Sequence, residues 1–379
     1  MQSDSHDPIQ VLQVVDKFSI DGRSLHGVAR LLSWWIEEIH RDRFELSILC
    51  LNQRTRAGRY LEEKGGRVFY SDRGKVNPAS IFDLLGIAWK TNADLLHLHG
   101  YKSSAIGRIA GMVLGIPVVL HEHASFPKVP IHQRIADWLL APFGDKMIVV
   151  SDTVKDFCMQ YRYINPEKIV PIFNGIPLAE FQDVSSEEAQ EAAREIGIDY
   201  DAPIVGTVAR LDEEKGVEHL LHAVPIIKEE VPNVQVLIVG DGVLRDELEE
   251  KANRLGIEDD TVFTGERRDV PRMYKIMDVK IISSIREGGP LTLFEAMAVG
   301  TPVVATPVGL VSTVIQNGWN GKIVEPRSSV GIAEASIELL GSKKKREVFS
   351  KRSKEKVKPY GIKESVKRIK KEYDSILKG

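Results

Sequence analysis

Two carboxylates, two cations and a glycine break carry most of the chemistry that can be read from this chain. Glu287 and Glu295 bracket Gly288-Gly289-Pro290-Leu291-Thr292, and Arg210 and Lys215 bracket Leu211-Asp212-Glu213-Glu214. A glycine turn that follows an apolar run and opens a helix at Pro290 presents free backbone N–H groups and a positive dipole end. That suits a phosphate. Glu287 lies in the turn, and Glu295 about a turn inside the helix, directed back toward the same mouth. Carboxylates repel a phosphate unless they face something else, and sugar hydroxyls are natural donors to both. The stretch reads as a cradle for a sugar carried on a nucleotide, although either glutamate taken singly reads first as a solvated side chain. Arg210 can grip a diphosphate with two prongs and Lys215 can add a point charge. The competing reading is a surface loop neutralised by its own Asp212, Glu213 and Glu214.

A third candidate is His121-Glu122-His123, which ends an apolar run. Two histidines one residue apart cannot share a helix face as a metalloprotease pair does. They are expected to take opposite faces of a strand, so that at most one enters a cleft at the carboxyl end of a sheet. Such a histidine reads as a structural residue or, from its place at a carboxyl strand end, as a functional one. Gly22 and Gly27, after the first strand, would let backbone approach a ligand.

The elements that must position these residues alternate regularly. Strands are predicted over 9–15, 44–51, 68–71, 95–98, 117–120 and 146–150, with helices between them. After an acidic, polar stretch the alternation begins afresh, with strands over 203–209, 234–239, 262–264, 279–284, 302–306 and 322–324. Strand-helix repeats of this length predict two parallel, doubly wound sheets. At 379 residues, two α/β domains are also the expectation from length. The expected division is a first domain over 1–178, a linker over 179–202, a second domain over 203–358 and a terminal helix over 359–379. Gly240-Asp241-Gly242 lacks the full dinucleotide spacing.

Hydrophobic residues make up 43% and charged residues 28%, with a net charge of -3, which fits a globular protein and argues against a nucleic-acid binder. The basic stretch 342–379 reads first as solvated helix faces, although it would also suit an anionic membrane surface. Trp34-Trp35 reads as domain packing before a membrane anchor. Cys50 and Cys158 offer neither metal spacing nor a disulfide framework. No signal peptide and no apolar run long enough to span a bilayer are visible, so a cytoplasmic protein, at most peripheral at the inner membrane face, is expected.

With these residues laid out, the chain resembles the GT-B-fold retaining glycosyltransferases of family 4. The resemblance covers nearly the whole chain. Its motifs are Gly206-Thr207-Val208-Ala209-Arg210-Leu211 with Lys215-Gly216, then Val239-Gly240-Asp241-Gly242, Phe263-Thr264-Gly265 and Glu287 to Pro302, with Val149-Val150-Ser151 and Phe173-Asn174-Gly175-Ile176 earlier. The resemblance implies two Rossmann-like domains facing each other across a cleft, with the C-terminal helix returning to the first. By position it makes Arg210 and Lys215 the ligands of the donor diphosphate. Glu295 would hold the ribose and Glu287 a hydroxyl of the transferred sugar. Backbone groups of Gly288, Gly289, Pro290, Leu291 and Thr292 would line the phosphate and sugar, and Gly265 to Arg268 the base. Gly22 would approach the phosphate from the first domain, and His123, rather than His121, matches the family histidine near the reacting sugar. The sequence departs from the pattern at Asp21-Gly22, where two glycines are common, and at Gly289, where an aromatic residue is common.

The implied reaction moves a sugar from a nucleotide diphosphate donor, UDP-sugars ahead of GDP-mannose, to a hydroxyl of a glycan or glycolipid. Surface polysaccharide synthesis is the expected setting. No cofactor and no metal are expected, because two cations and a helix N-terminus take the leaving diphosphate. Basic loops at 54–59, 73–76 and 101–104 are expected to read the acceptor. The alternatives are a sugar-nucleotide epimerase or hydrolase on the same fold, or a non-catalytic partner subunit.

Overall fold

The computed structural model describes residues 7–19, 27–39, 43–73, 77–126 and 128–378. They form two compact units: Met1–Gly175 with Ile362–Gly379, and Ile176–Gly361.

The first unit is a seven-stranded parallel sheet of β1 (Ile9–Val15), β2 (Phe44–Cys50), β3 (Arg67–Tyr70), β4 (Leu95–His99), β5 (Val118–Glu122), β6 (Lys146–Val149) and β7 (Ile169–Pro171). Their order is β3-β2-β1-β4-β5-β6-β7. The interior strands are apolar runs because helices cover both faces of a doubly wound sheet. Trp34 and Trp35 are buried in this unit, as packing residues. The terminal helix Ile362–Leu377 belongs to it as well. Cys50 and Cys158 are both buried and free, and burial pushes the Cys50 thiol up to about 11.

The second unit is a six-stranded parallel sheet of β8 (Ile204–Val208), β9 (Gln235–Val239), β10 (Thr261–Gly265), β11 (Val279–Ile282), β12 (Val303–Ala305) and β13 (Lys322–Ile323), in the order β10-β9-β8-β11-β12-β13. The stretch 179–202, expected as a linker, instead folds into this unit. It supplies the helices Leu178–Gln182 and Ser186–Ile196. The second opens with a capping box between Ser185 and Glu188. Ala189, Ala192 and Ala193 form its buried stripe, a helical spacing that an acidic composition disguises.

Each sheet reverses direction once, between β1 and β4 and between β8 and β11. Open α/β sheets bind ligands outside the carboxyl ends of the strands at such points.

Candidate active site

At the reversal of the second sheet, the loops after β8 and β11 bring the four main candidates onto one structure. Asp212 caps the short 3-10 turn Glu213–Lys215, its Oδ1 accepting from the Lys215 N–H at 3.3 Å. Gly216 then takes φ +57°, and a Cβ there would lie 2.5 Å from the Ser283 carbonyl oxygen. Glycine is needed at this position for both reasons. Arg210 Nη2 is held by Asp212 Oδ2 at 2.7 Å, while its Nη1 is buried with no hydrogen-bond partner among the described residues. Lys215 Nζ donates to the Glu287 carboxylate, which also accepts from Ser284 Oγ at 3.1 Å. The loops are further tied by an Arg286–Glu214 ion pair and by the Ile285 N–H donating to the Glu214 carbonyl at 2.8 Å.

Helix Leu291–Val299 begins at this junction, with Pro290 extended at its N-cap and no side chain capping it. Its first turn contains no acid. The turn is walled by the next loop: Gly309 has φ +53°, and a Cβ there would lie 2.4 Å from the Gly288 carbonyl oxygen. Gly288 and Pro290 are buried, whereas Gly289, Leu291 and Thr292 are partly exposed.

Glu295 differs from expectation. It is wholly buried, its Oε2 accepting from the Tyr274 hydroxyl at 2.8 Å. The helix is packed against Leu178–Gln182, Val270–Ile276 and Lys343–Val357, so its inner positions from Leu293 onward are enclosed. Beneath it lies Lys280, a lysine inside an apolar strand. Its Nζ donates to Thr207 Oγ1 and the Ile281 carbonyl, both at 2.8 Å, and burial holds its pKa well below the usual lysine range, against the attraction of Glu295. Gly265 ends β10 at φ +72°, and Arg268 is exposed beyond it.

The first unit contrasts with this arrangement. At its sheet reversal the helix Tyr101–Leu114 already carries a carboxylate: Asp16 accepts from the Lys102 and Ser103 N–H groups at 3.0 and 2.6 Å. Burial raises the Asp16 pKa, and the two backbone N–H groups oppose that rise. Gly22 lies outside the described residues, as do 74–76. Of the loop cations expected to read an acceptor, Arg54 is paired with Glu62 and Arg73 with Asp83.

His121 and His123 do not take opposite faces. Their rings stack with centroids 4.0 Å apart, because side chains at i and i+2 of a strand share a face. They join His97 and His99 of β4 on the face covered by Trp35. His97, His99 and His121 are close enough for one ion to reach all three. However, His97 and His99 stack with ring centroids 4.4 Å apart at 21°. A metal lies in the plane of each ligating ring, and rings stacked face to face cannot share one. The pattern Leu95-Leu96-His97-Leu98-His99, histidines alternating within a buried strand, was the available signal. Nothing local pointed to Tyr274, Ser284 or Asp16.

Residues 188–356 match the family described as glycosyl transferases group 1, and residues 25–180 match glycosyltransferase family 4. The chain belongs to the family 4 glycosyltransferases of GT-B fold. An uncharacterized glycosyltransferase of Methanocaldococcus jannaschii is 31% identical over 262 residues, 66% of each chain. The UDP-Gal:alpha-D-GlcNAc-diphosphoundecaprenol alpha-1,3-galactosyltransferase of Escherichia coli is 24% identical over 335 residues, 84% of this chain and 86% of that one. Among solved structures, Anabaena HepE in complex with UDP superposes with a TM-score of 0.84 at 21% identity, over 97% of this glycosyltransferase and 100% of that chain. Sucrose-phosphate synthase from Thermosynechococcus elongatus gives 0.81 at 17% identity, over 97% and 98%. These two likenesses concern the fold.

Proposed function

We propose that the second unit binds a UDP-sugar and that the enzyme transfers the sugar, with anomeric configuration retained, to a hydroxyl of a lipid-linked glycan. The observation that carries this reading is the contrast between the two sheet reversals. In the first unit the helix start is satisfied by Asp16. In the second no side chain caps the helix start, and Arg210 and Lys215 stand in the adjoining loop. A diphosphate is the ligand that free N–H groups, a positive dipole end and two cations fit together.

In this reading Arg210, Lys215 and the backbone from Gly288 to Thr292 hold the diphosphate and stabilise the charge that develops on it as the sugar leaves. Glu287, already fixed by Lys215 and Ser284, accepts from a hydroxyl of the transferred sugar. Glu295, oriented by Tyr274, takes the ribose, and the Gly265 to Arg268 loop takes the base. His123 is assigned a hydroxyl of the transferred sugar. No metal has a role in these steps. HepE has been solved with UDP-glucose, and the Escherichia coli relative is named for a UDP-Gal donor and a diphosphoundecaprenol-linked acceptor. HepE supports the UDP-sugar, and the Escherichia coli relative supports both the UDP-sugar and the lipid-linked acceptor.

We also infer that the enzyme works at a membrane surface. Helix Ile131–Leu140 is built inside out. Asp137 is buried, paired with Arg108 Nη2 at 2.5 Å and Arg162 Nη1 at 2.7 Å, whereas Ile131, Ile135, Trp138 and Leu139 are exposed on the opposite stripe. Met112, Val113 and Phe143, from elements packed against this helix, are also exposed. An outward apolar stripe with Lys128, His132 and Arg134 beside it suits an anionic bilayer surface. Among the described residues no helix is long and apolar enough to cross a membrane.

The test is a transfer assay in EDTA with labelled UDP-sugars and a polyprenyl diphosphate-linked sugar, with the product's anomeric configuration read by NMR. Metal-free transfer with retention supports the reading. An inverted product, or turnover that requires an added divalent ion, contradicts it.

A further inference from the structure

The buried face of the first sheet holds a continuous hydrogen-bonded chain that ends on His123. His99 Nδ1 and His123 Nε2 are 2.9 Å apart, and His99 Nε2 meets Gln13 Oε1 at 2.8 Å. Gln13 Nε2 donates to the Tyr373 hydroxyl at 3.1 Å, and that hydroxyl lies 2.5 Å from His97 Nδ1. His97 Nε2 lies 3.2 Å from His121 Nδ1, where the chain stops. Gln13, His97, His99 and Tyr373 are all buried, and Tyr373 comes from the C-terminal helix.

Because each neutral imidazole has one donor and one acceptor, one amide orients the whole chain. Gln13 Oε1 only accepts, so His99 Nε2 carries the proton and His99 Nδ1 is the acceptor. His123 must then donate through Nε2–H. In the other direction Gln13 donates to Tyr373, Tyr373 donates to His97 Nδ1, and His97 donates through Nε2–H to His121 Nδ1. Burial holds the pKa values of His97, His99 and His121 well below the usual histidine range, as a chain of neutral rings requires. On the far side of His123, the Asn174 amide lies 3.4 Å from Nδ1. That contact is long enough for a sugar hydroxyl to displace.

We propose that Gln13, Tyr373 and His99 are positioning residues for His123, fixing its Nε2–H tautomer so that the Nδ1 lone pair is the atom offered to a hydroxyl of the transferred sugar. This role for Nδ1 rests on the reading of His123 given above; the tautomer itself does not. The C-terminal helix thereby acts on the chemistry through one hydroxyl group, with no contact to substrate. Which nitrogen of a histidine is protonated is set by the bond its other nitrogen makes, and here that bond runs through Gln13.

The test uses Tyr373→Phe, which keeps the ring against Phe44 and removes the hydroxyl, so that Gln13 can turn and His99 and His123 can each take either tautomer. Gln13→Met is the second variant, should the first fail to fold. Long-range nitrogen NMR of the full-length protein at neutral pH reads the tautomers without substrate. The expected result is Nε2–H on His123 and His99 in the wild type and a mixture in both variants. With donor and acceptor, kcat should fall on the order of tenfold in the variants, the scale seen when a histidine's orienting partner is removed, while UDP affinity stays unchanged. A wild-type His123 protonated on Nδ1, or variants with unchanged tautomers and unchanged kcat, would overturn the proposal. A wild type that binds no nucleotide would overturn the reading of the second unit and leave the NMR result to decide this one.

Discussion

Lys215 and Glu287, 72 residues apart in sequence, form an ion pair where the loops after β8 and β11 converge. The cation assigned to the diphosphate is thus already engaged by the carboxylate assigned to the sugar. Glu287→Gln should therefore bind UDP at least as tightly as the wild type, since a competing negative charge is gone, yet lose turnover. Lys215→Ala should lose kcat on the order of 10²–10³-fold, as when one preorganised group for a developing charge is removed. Calorimetry with UDP and steady-state kinetics of the two variants check both outcomes.

The histidine ladder predicts a pH dependence of stability. The folded-state pKa values of His97, His99 and His121 are depressed, with burial the largest cause in each. Below the unfolded histidine pKa, the unfolded chain takes up protons that the folded chain does not. Their contribution is thus fully present above about pH 6.5 and is lost as pH falls below it, by up to about 1.4 kcal/mol per pH unit for each ring. Urea unfolding from pH 7.5 to 5 should show this slope, and a His97→Gln variant should show a shallower one.

The buried cluster behind the outward apolar stripe should be costly to break. Asp137 bonds both Arg108 and Arg162, and Arg162 also holds Glu122 Oε2 at 2.9 Å. Asp137→Ala leaves two buried guanidinium groups short of a partner, and a loss of about 3–5 kcal/mol is expected by denaturant unfolding.

Ile135→Asp with Trp138→Asp should abolish co-sedimentation with anionic vesicles and leave UDP affinity unchanged. Both side chains point outward and contribute little to the core. Retained vesicle binding by the double variant would remove this helix as the membrane-facing element.

Much of the architecture was legible because it is written locally. Apolar runs such as Val279-Lys280-Ile281-Ile282 mark strands, and Gly-Gly-Pro before Leu291 marks a helix start. The loops at the second sheet reversal were legible for the same reason, each following a strand directly. The rest depends on partners far away in sequence. Asp16 finds its role only when Lys102 and Ser103 arrive 86 and 87 residues later, and Gln13 meets Tyr373 across 360 residues. Glu295 looked accessible because a helix N-terminus is usually open, and only the packing of three neighbouring helices encloses it. The shared face of His121 and His123 needs no distant partner, since the two-residue period of a strand is enough to pair them.

The most direct test of the central claim is calorimetric titration of the purified enzyme with UDP-, GDP- and ADP-sugars in EDTA, repeated on Arg210→Ala with Lys215→Ala. The account predicts micromolar binding of a UDP-sugar without metal, lost in the double variant while its fold is intact by circular dichroism. Binding that persists in the double variant, or that appears only with an added divalent ion, would contradict it.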